Sequence, residues 1–313
     1  MFHTLKETLE REPDNVEALE KIWISIEVCR NYEESIALHL GLIDKKPYNS
    51  LAWYNLGHAY NFVGEYDRAI DALEYSFLID PNFESGYLDC AEMCIQQQQY
   101  ARAYEIYQEA LERFGPNEEV IPTMIDALMH LNRKKEALHL ALQFLEQDQY
   151  NDELLFYVAE IYREKGKHRE ALKYYDRAIY YNRSMETYHY GIAKTFEALG
   201  AFNNAEDAFK EAAYIAPEET LYWAEYAAFL IKRDKPFEAM AVLDEADNHT
   251  VGVELDYLRA ACLYMTQREE EGFALLEEAV KEDASYADTF LRLHGRISSC
   301  HKMHAMIRYY SEG

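Results

Sequence analysis

Trp53-Tyr54-Asn55-Leu56-Gly57-His58-Ala59-Tyr60, followed at wider intervals by Ala69, Leu73, Ser76 and Pro81, is the stretch that decides the fold. Trp53, Leu56 and Tyr60 are three and four residues apart and therefore form one stripe of a helix. Gly57 interrupts that stripe with no side chain, which lets a second helix come close. Ala69, Leu73 and Ser76 supply the facing stripe with the same spacing. Pro81 cannot continue a helix interior and marks its end.

Counting Ser50 as position 1, a step of 34 residues recovers the same residue types along the chain. Position 20 reads Ser35, Ala69, Ala103, Ala137, Ala171, Ala205 and Ala239. Position 8 reads Trp23, Gly57, Ala91, Ile125, Ala159, Ala193, Ala227 and Ala261, and position 11 is apolar or aromatic from Ile26 to Tyr264. Proline recurs at position 32 as Pro13, Pro47, Pro81 and Pro217. Position 15 carries Gly64, Asn132, Gly166 and Gly200, residues that suit a left-handed turn after a first helix. Small residues at 8 and 20 bring the two helices together, and aromatic residues at 4, 11 and 24 fill the space between repeats. Many of the 27 tyrosines, Tyr60, Tyr107, Tyr162 and Tyr175 among them, then belong to the core.

This pattern resembles the tetratricopeptide repeat (TPR), whose period is 34 residues. The resemblance implies an all-α fold, a right-handed TPR superhelical solenoid of antiparallel helix pairs. The register divides the chain into a lone N-terminal helix of a partial repeat (1–15), seven repeats of 34 residues (16–253), an eighth one residue short (254–284) and C-terminal capping helices (285–313). In that last segment, residues 285–297 read as another first helix through Phe290, Leu293 and Ile297, and 301–310 as a partial second helix. Pro122, at position 5, calls for a kink or a late helix start near Ile121. Ile125 is large for position 8, and small Ala141 across from it returns the volume.

Charge narrows the function. Asp and Glu number 57 against 31 Lys and Arg, a formal net charge of −26. Nucleic acids are gripped through Lys and Arg on phosphates, and anionic lipid surfaces through similar basic clusters. The reading is therefore of no nucleic acid and no membrane partner. No apolar run approaches a membrane span, and Met1–Glu7 lacks a signal-peptide layout. Cys29, Cys90, Cys94, Cys262 and Cys300 are odd in number and scattered, as reduced intracellular thiols are. A cytoplasmic location is expected, unless an upstream leader is missing.

No phosphate-binding glycine loop, nucleophile elbow or zinc-protease helix motif is present. Cys90 and Cys94 could approach one metal, but they stand at core positions 7 and 11 and read as buried hydrophobes. His294, Cys300, His301 and His304 form the densest group of possible ligands, and read better as part of a solvated capping helix. The expectation is of no cofactor, no metal and no catalysis.

In TPR proteins the first helices line a concave groove, so the resemblance places positions 2, 5, 9 and 12 on it. From repeats one to six these positions hold nine acidic and two basic residues, interleaved with apolar ones. The candidate peptide-binding residues are Tyr54, His58, Asn61, Leu88, Glu92, Asp126, Phe156, Glu160, Arg163, Tyr190 and Lys194. Such a surface favours a segment carrying Lys or Arg between apolar anchors. Position 5 offers no Lys for clamping an acidic C-terminus. Repeats seven and eight differ: Leu221, Ala224, Ala228, Ile231, Leu255, Leu258, Cys262 and Met265 are all apolar. Such a strip is rarely left open to water. The chain's own last helix (Met303, Met306, Ile307, Tyr310), a second copy of the protein or a partner helix could cover it. The expected function is a non-catalytic scaffold for a polypeptide partner. The alternatives are a substrate-recruiting arm of a larger enzyme and a module for homo-oligomerisation through the C-terminal end.

Overall fold

The computed structural model describes residues 2–311, and all regular secondary structure among them is helical. Met1 and the side chains of Ile26, Glu27 and Cys29, to which the register gave places, lie outside the described residues. The chain forms two compact units that divide after Glu146. In the first, a lone helix α1 (Phe2–Arg11) precedes paired helices: α2 (Val16–Cys29) with α3 (Tyr32–Lys45), α4 (Ser50–Phe62) with α5 (Tyr66–Ile79), α6 (Glu84–Gln96) with α7 (Tyr100–Phe114), and α8 (Val120–His130) with α9 (Lys134–Leu145). The second pairs α10 (Asp152–Glu164) with α11 (His168–Tyr181), α12 (Glu186–Ala198) with α13 (Phe202–Ile215), α14 (Thr220–Lys232) with α15 (Pro236–Ala246), and α16 (Val253–Met265) with α17 (Glu269–Glu282). Three short helices follow: α18 (Ala287–Leu291), α19 (Gly295–Ser298) and α20 (His301–Ser311).

The repeat positions explain why the pairs close. A Cβ on Gly57 would stand 2.6 Å from Leu73 Cγ and 3.0 Å from the Ala69 carbonyl, so α4 and α5 touch backbone to backbone there. Ala69, Ala103, Ala137, Ala171, Ala205 and Ala239, all at position 20, are fully buried. Ile125 and Ala141 are both fully buried too, so the large residue on α8 is accommodated by the small one on α9. Asn15, Asn49 and Asn151 cap α2, α4 and α10 by accepting from the amides of Ala18, Ala52 and Leu154.

Every pair turns through one left-handed residue. These are Arg30, Gly64, Gln98, Asn132, Gly166, Gly200, Asp234 and Gln267, with φ between 56° and 80°. Four of them match the turn residues read from the sequence. The other four carry side chains that disfavour this conformation by about 1–2 kcal/mol each, and they adopt it because the paired helices leave no other way round.

Two irregular places behave differently. α8 starts at Val120, two residues later in its repeat than α4 and α6 start in theirs, and this puts Pro122 in the first turn. There its missing N–H leaves no hydrogen bond unmade; the late start replaces a kink. Residues 285–297 do not form the single helix expected of them. The chain breaks between α18 and α19, where His294 is extended (φ −151°, ψ 149°) and its ring accepts from the Arg296 amide. A side-chain cap followed by Gly295 starts a new turn instead of continuing the old one.

Candidate peptide-binding faces

Within each unit, the first helix of one pair stands beside the first helix of the next, and side chains bridge the two. In the first unit, Tyr54 and His58 on α4 both reach Asp89 on α6: the Tyr54 hydroxyl donates to Oδ2 at 2.5 Å and His58 Nε2 lies 2.9 Å from it. Burial pushes the Asp89 carboxyl up, but the hydrogen bonds from His58 and Tyr54 outweigh it and hold the group below the usual carboxylate range. Asn55 on α4 donates to the Leu19 carbonyl of α2 at 3.0 Å. Position 6 thus takes part in both bridges, accepting at Asp89 and donating at Asn55.

Farther along the same unit, Glu92 is exposed, while Leu88 and Ile95 on its own helix and Asp126 and Met129 on α8 are half-buried. Asp126 meets His130 at 3.2 Å. Neither Glu92 nor Asp126 has a Lys or Arg ion pair among the described residues. Tyr107, buried beneath, has its phenol held up by burial first and by the Glu92 charge second. Asn61 is half-buried near the end of α4. Pro122 is buried and offers nothing to a guest.

The second unit spends its charges internally. Glu160 accepts from Arg163 on its own helix and from the buried Tyr175 hydroxyl on α11. Lys194 lies 3.2 Å from Glu225 on α14 and 3.6 Å from Glu197. Phe156 stacks on Tyr188 with ring centres 5.0 Å apart, and Tyr190 meets Tyr222 edge-on at 5.7 Å. The aromatic residues at position 5 therefore seal the seam between successive first helices while keeping part of each ring exposed.

The apolar strip of repeats seven and eight is closed. Ala224, Ala228, Ile231, Leu255, Leu258, Cys262 and Met265 are buried, and Leu221 alone of the eight is exposed, at 51%. The chain's own C-terminal segment covers it. α18 packs on α16 and α20 on α17, with Phe290, Ile297 and Met303 fully buried. Arg296 donates to the Met265 carbonyl at 3.4 Å and lies 3.7 Å from Asp234. Tyr286, whose phenol burial pushes up to about 12, also feels Glu225 of α14 and Glu254 of α16.

The cysteine and histidine groups are committed elsewhere. Cys90 and Cys94 are buried in the core of the first unit, and Cys90 Sγ points at the Ile70 carbonyl. His304 Nε2 bonds the Ser298 carbonyl, and His294 caps α19. No described helix is long and apolar enough to cross a membrane.

Helix pairs of one period, joined by one turn geometry and stacked side by side, define an α-solenoid repeat protein. Tetratricopeptide repeat models match residues 51–83, 123–184 and 159–220. Over those residues the chain is built of tetratricopeptide repeats. It is 26% identical over 179 residues to a TPR repeat-containing protein of Methanocaldococcus jannaschii, a match covering 56% of this chain and 31% of that protein. Among solved structures it shares its fold with a tetratricopeptide repeat protein from Parabacteroides merdae (TM-score 0.58, 16% identity, 90% of this chain and 99% of that one). The fold is also that of a chain of the APC/C hetero-tetramer Cut9–Hcn1 (TM-score 0.53, 16% identity, 89% of this chain and 52% of that one). The chain thus spans about a third of the archaeal relative and about half of the Cut9–Hcn1 chain.

Proposed function

We propose that the protein is a scaffold that holds a polypeptide segment, and that the first-helix face of the first unit takes a segment with Lys or Arg set between apolar residues. One observation carries this reading: among the described residues, Glu92 and Asp126 stand on that face without a Lys or Arg partner, beside the half-buried Leu88, Ile95 and Met129. Carboxylates without a Lys or Arg partner next to apolar surface favour a ligand that brings both cations and apolar side chains. The overall charge of −26 steers such a ligand from a distance. Binding, and no chemistry, is the work of this face. The M. jannaschii relative and the Cut9–Hcn1 chain are longer, and what the whole of either does is not carried over.

The test is fluorescence anisotropy with a labelled peptide of alternating Lys and Leu. Glu92→Lys with Asp126→Lys is expected to weaken binding roughly tenfold or more. Asp67→Lys with Glu112→Lys, an equal charge change on exposed sites of α5 and α7, should leave it within about twofold. Equal losses in the two double variants would mean that net charge, and not this face, holds the peptide.

A further inference from the structure

The exposed face of α11 carries the opposite charge to the chain as a whole. Residues 163–183 hold seven Lys and Arg against three Asp and Glu, where the full sequence holds 31 against 57. Arg169, Lys173 and Arg177 stand four residues apart and Tyr180 follows three residues on, so the four form one ridge along the helix. All four are exposed, Tyr180 at 80%, while Ala171, Tyr175 and Ala178 on the other side are fully buried. Among the described residues Arg169 and Lys173 form no ion pair, and neither do Glu170 and Asp176, the two acids of this helix. Arg177 donates to the Gln149 carbonyl at 3.0 Å, which ties the turn before α10 to the end of the ridge. Tyr150 on that turn meets Tyr181 with ring centres 5.4 Å apart, and Tyr181 meets Tyr180 at 5.2 Å. The ridge thus runs from cations into a group of exposed tyrosines.

The fold does not call for these cations. The ridge occupies positions 18, 22, 26 and 29 of its repeat, which on α7 are Ala101, Glu105, Glu109 and Glu112 and on α13 are Asn203, Asp207, Glu211 and Tyr214. Elsewhere in the seven 34-residue repeats, positions 22 and 26 never carry Lys or Arg. On α11 itself the arrangement opposes the helix. Like charges four residues apart repel, and Arg169 sits in the first turn, where the helix dipole disfavours a cation. Arg and Tyr, side by side and open to solvent, are the residue types that most often anchor a protein interface.

Charge complementarity selects the occupant. The three cations cover about 12 Å of helix. A nucleic-acid duplex brings one phosphate charge per ~1.7 Å and runs on past the ridge, over a chain whose net charge is −26. A short acidic segment ends where the ridge ends. Acids farther off than a Debye length, about 8 Å at physiological salt, are largely screened from it. The tyrosine rings add apolar contact for a side chain next to the carboxylates. We infer that the outer ridge of α11 docks a short acidic segment of a partner polypeptide, its carboxylates on Arg169, Lys173 and Arg177 and an apolar or aromatic residue on Tyr150, Tyr180 and Tyr181. This surface lies on a second helix of the second unit and selects the opposite charge, so it does not rest on the reading of the first-helix face.

Fluorescence anisotropy on the full chain, with a labelled peptide of alternating Glu and Trp, is the test. Arg169→Glu with Lys173→Glu should weaken binding roughly tenfold or more, and Tyr150→Ser with Tyr180→Ser roughly fivefold. Lys232→Glu with Arg292→Glu, an equal charge change at exposed sites of the same unit, should leave it within about twofold. Every substituted side chain is exposed, so circular dichroism spectra of the variants should match that of the wild type. No binding to the wild type, or equal losses in the two charge variants, overturns the assignment. A single-stranded oligonucleotide bound more tightly than the peptide would give the ridge to phosphate instead. A wild-type dimer in sedimentation that Arg169→Glu with Lys173→Glu dissolves would give it to a second copy of the chain. Either result also overturns it.

Discussion

Glu92 in the first unit and Glu160 in the second hold the same place in the repeat, position 9, and are used in opposite ways. Glu92 is exposed and has no Lys or Arg partner among the described residues, whereas Glu160 is clasped by Arg163 and by the hydroxyl of fully buried Tyr175. The difference lies three residues on: position 12 is Ile95 after Glu92 and Met129 after Asp126, but Arg163 after Glu160. An acid followed by an apolar residue at that spacing has no Arg one turn on to pair with, and under the proposed function it is the one a guest meets. One followed by Arg is already neutralised and serves the fold. Lys194 and Glu197 repeat the self-pairing arrangement with the signs exchanged.

If that contrast is right, removing the two acids has unequal costs. Glu160→Ala leaves a buried phenol and a half-buried guanidinium without their acceptor, and should destabilise the protein by about 2–4 kcal/mol. Glu92→Ala should change stability by no more than about 0.5 kcal/mol. Urea midpoints of the two variants measure both, and equal midpoints would erase the distinction between a structural and an available carboxylate.

A second contrast concerns position 24. It is Leu73, Tyr107 and Ala141 in three pairs of the first unit and Tyr175, Phe209 and Leu243 in the second, but His39 in the first pair, fully buried, with Nδ1 donating to the Ser35 carbonyl at 2.8 Å and Nε2 without a partner among the described residues. Burial lowers its pKa from 6.5 to about 4, against the opposing effect of the Ser35 bond. Between those values the unfolded chain binds the proton and the folded one does not, so stability falls as pH drops from about 6.5 toward 4. The full loss is about 3 kcal/mol. His39→Leu should remove this contribution to the acid sensitivity and raise the melting temperature at pH 5. An unchanged slope of stability against pH in that variant would show that His39 is not its source.

The smallest effects belong to the left-handed turns. Gln98→Gly in the first unit should stabilise by roughly 0.5–1 kcal/mol, since glycine adopts that conformation without penalty. Asp234→Gly in the second should gain less, because Asp234 lies 3.7 Å from Arg296 and that contact goes with it. Thermal melts order the two, and a larger gain at Asp234 would deny any contribution from the contact.

Much of this was legible in the sequence, and the limits of legibility are physical. Residues 8 and 20 of each repeat announce themselves because backbone contact tolerates few side chains, as Gly57 against Leu73 and Ala69 demonstrates. The turns at Gly64, Gly166 and Gly200 were readable, and those at Gln98, Asp234 and Gln267 were not, since there the helix pairs impose the conformation on residues that do not favour it. The bridge from Tyr54 and His58 to Asp89 joins residues 31 and 35 apart, and its existence depends on how far successive first helices are offset. No spacing within one helix encodes that. The covered strip was readable as apolar, but the break at His294 that lets α18 and α19 fold over α16 depends on one side-chain cap.

Hydrogen exchange with and without the Lys–Leu peptide addresses the central claim most directly. The account predicts slowed exchange in residues 84–96 and 120–130, the α6 and α8 segments that carry Glu92 and Asp126, with α5, α7 and α9 unchanged. Protection confined to those second helices, or spread evenly over the chain, would contradict it.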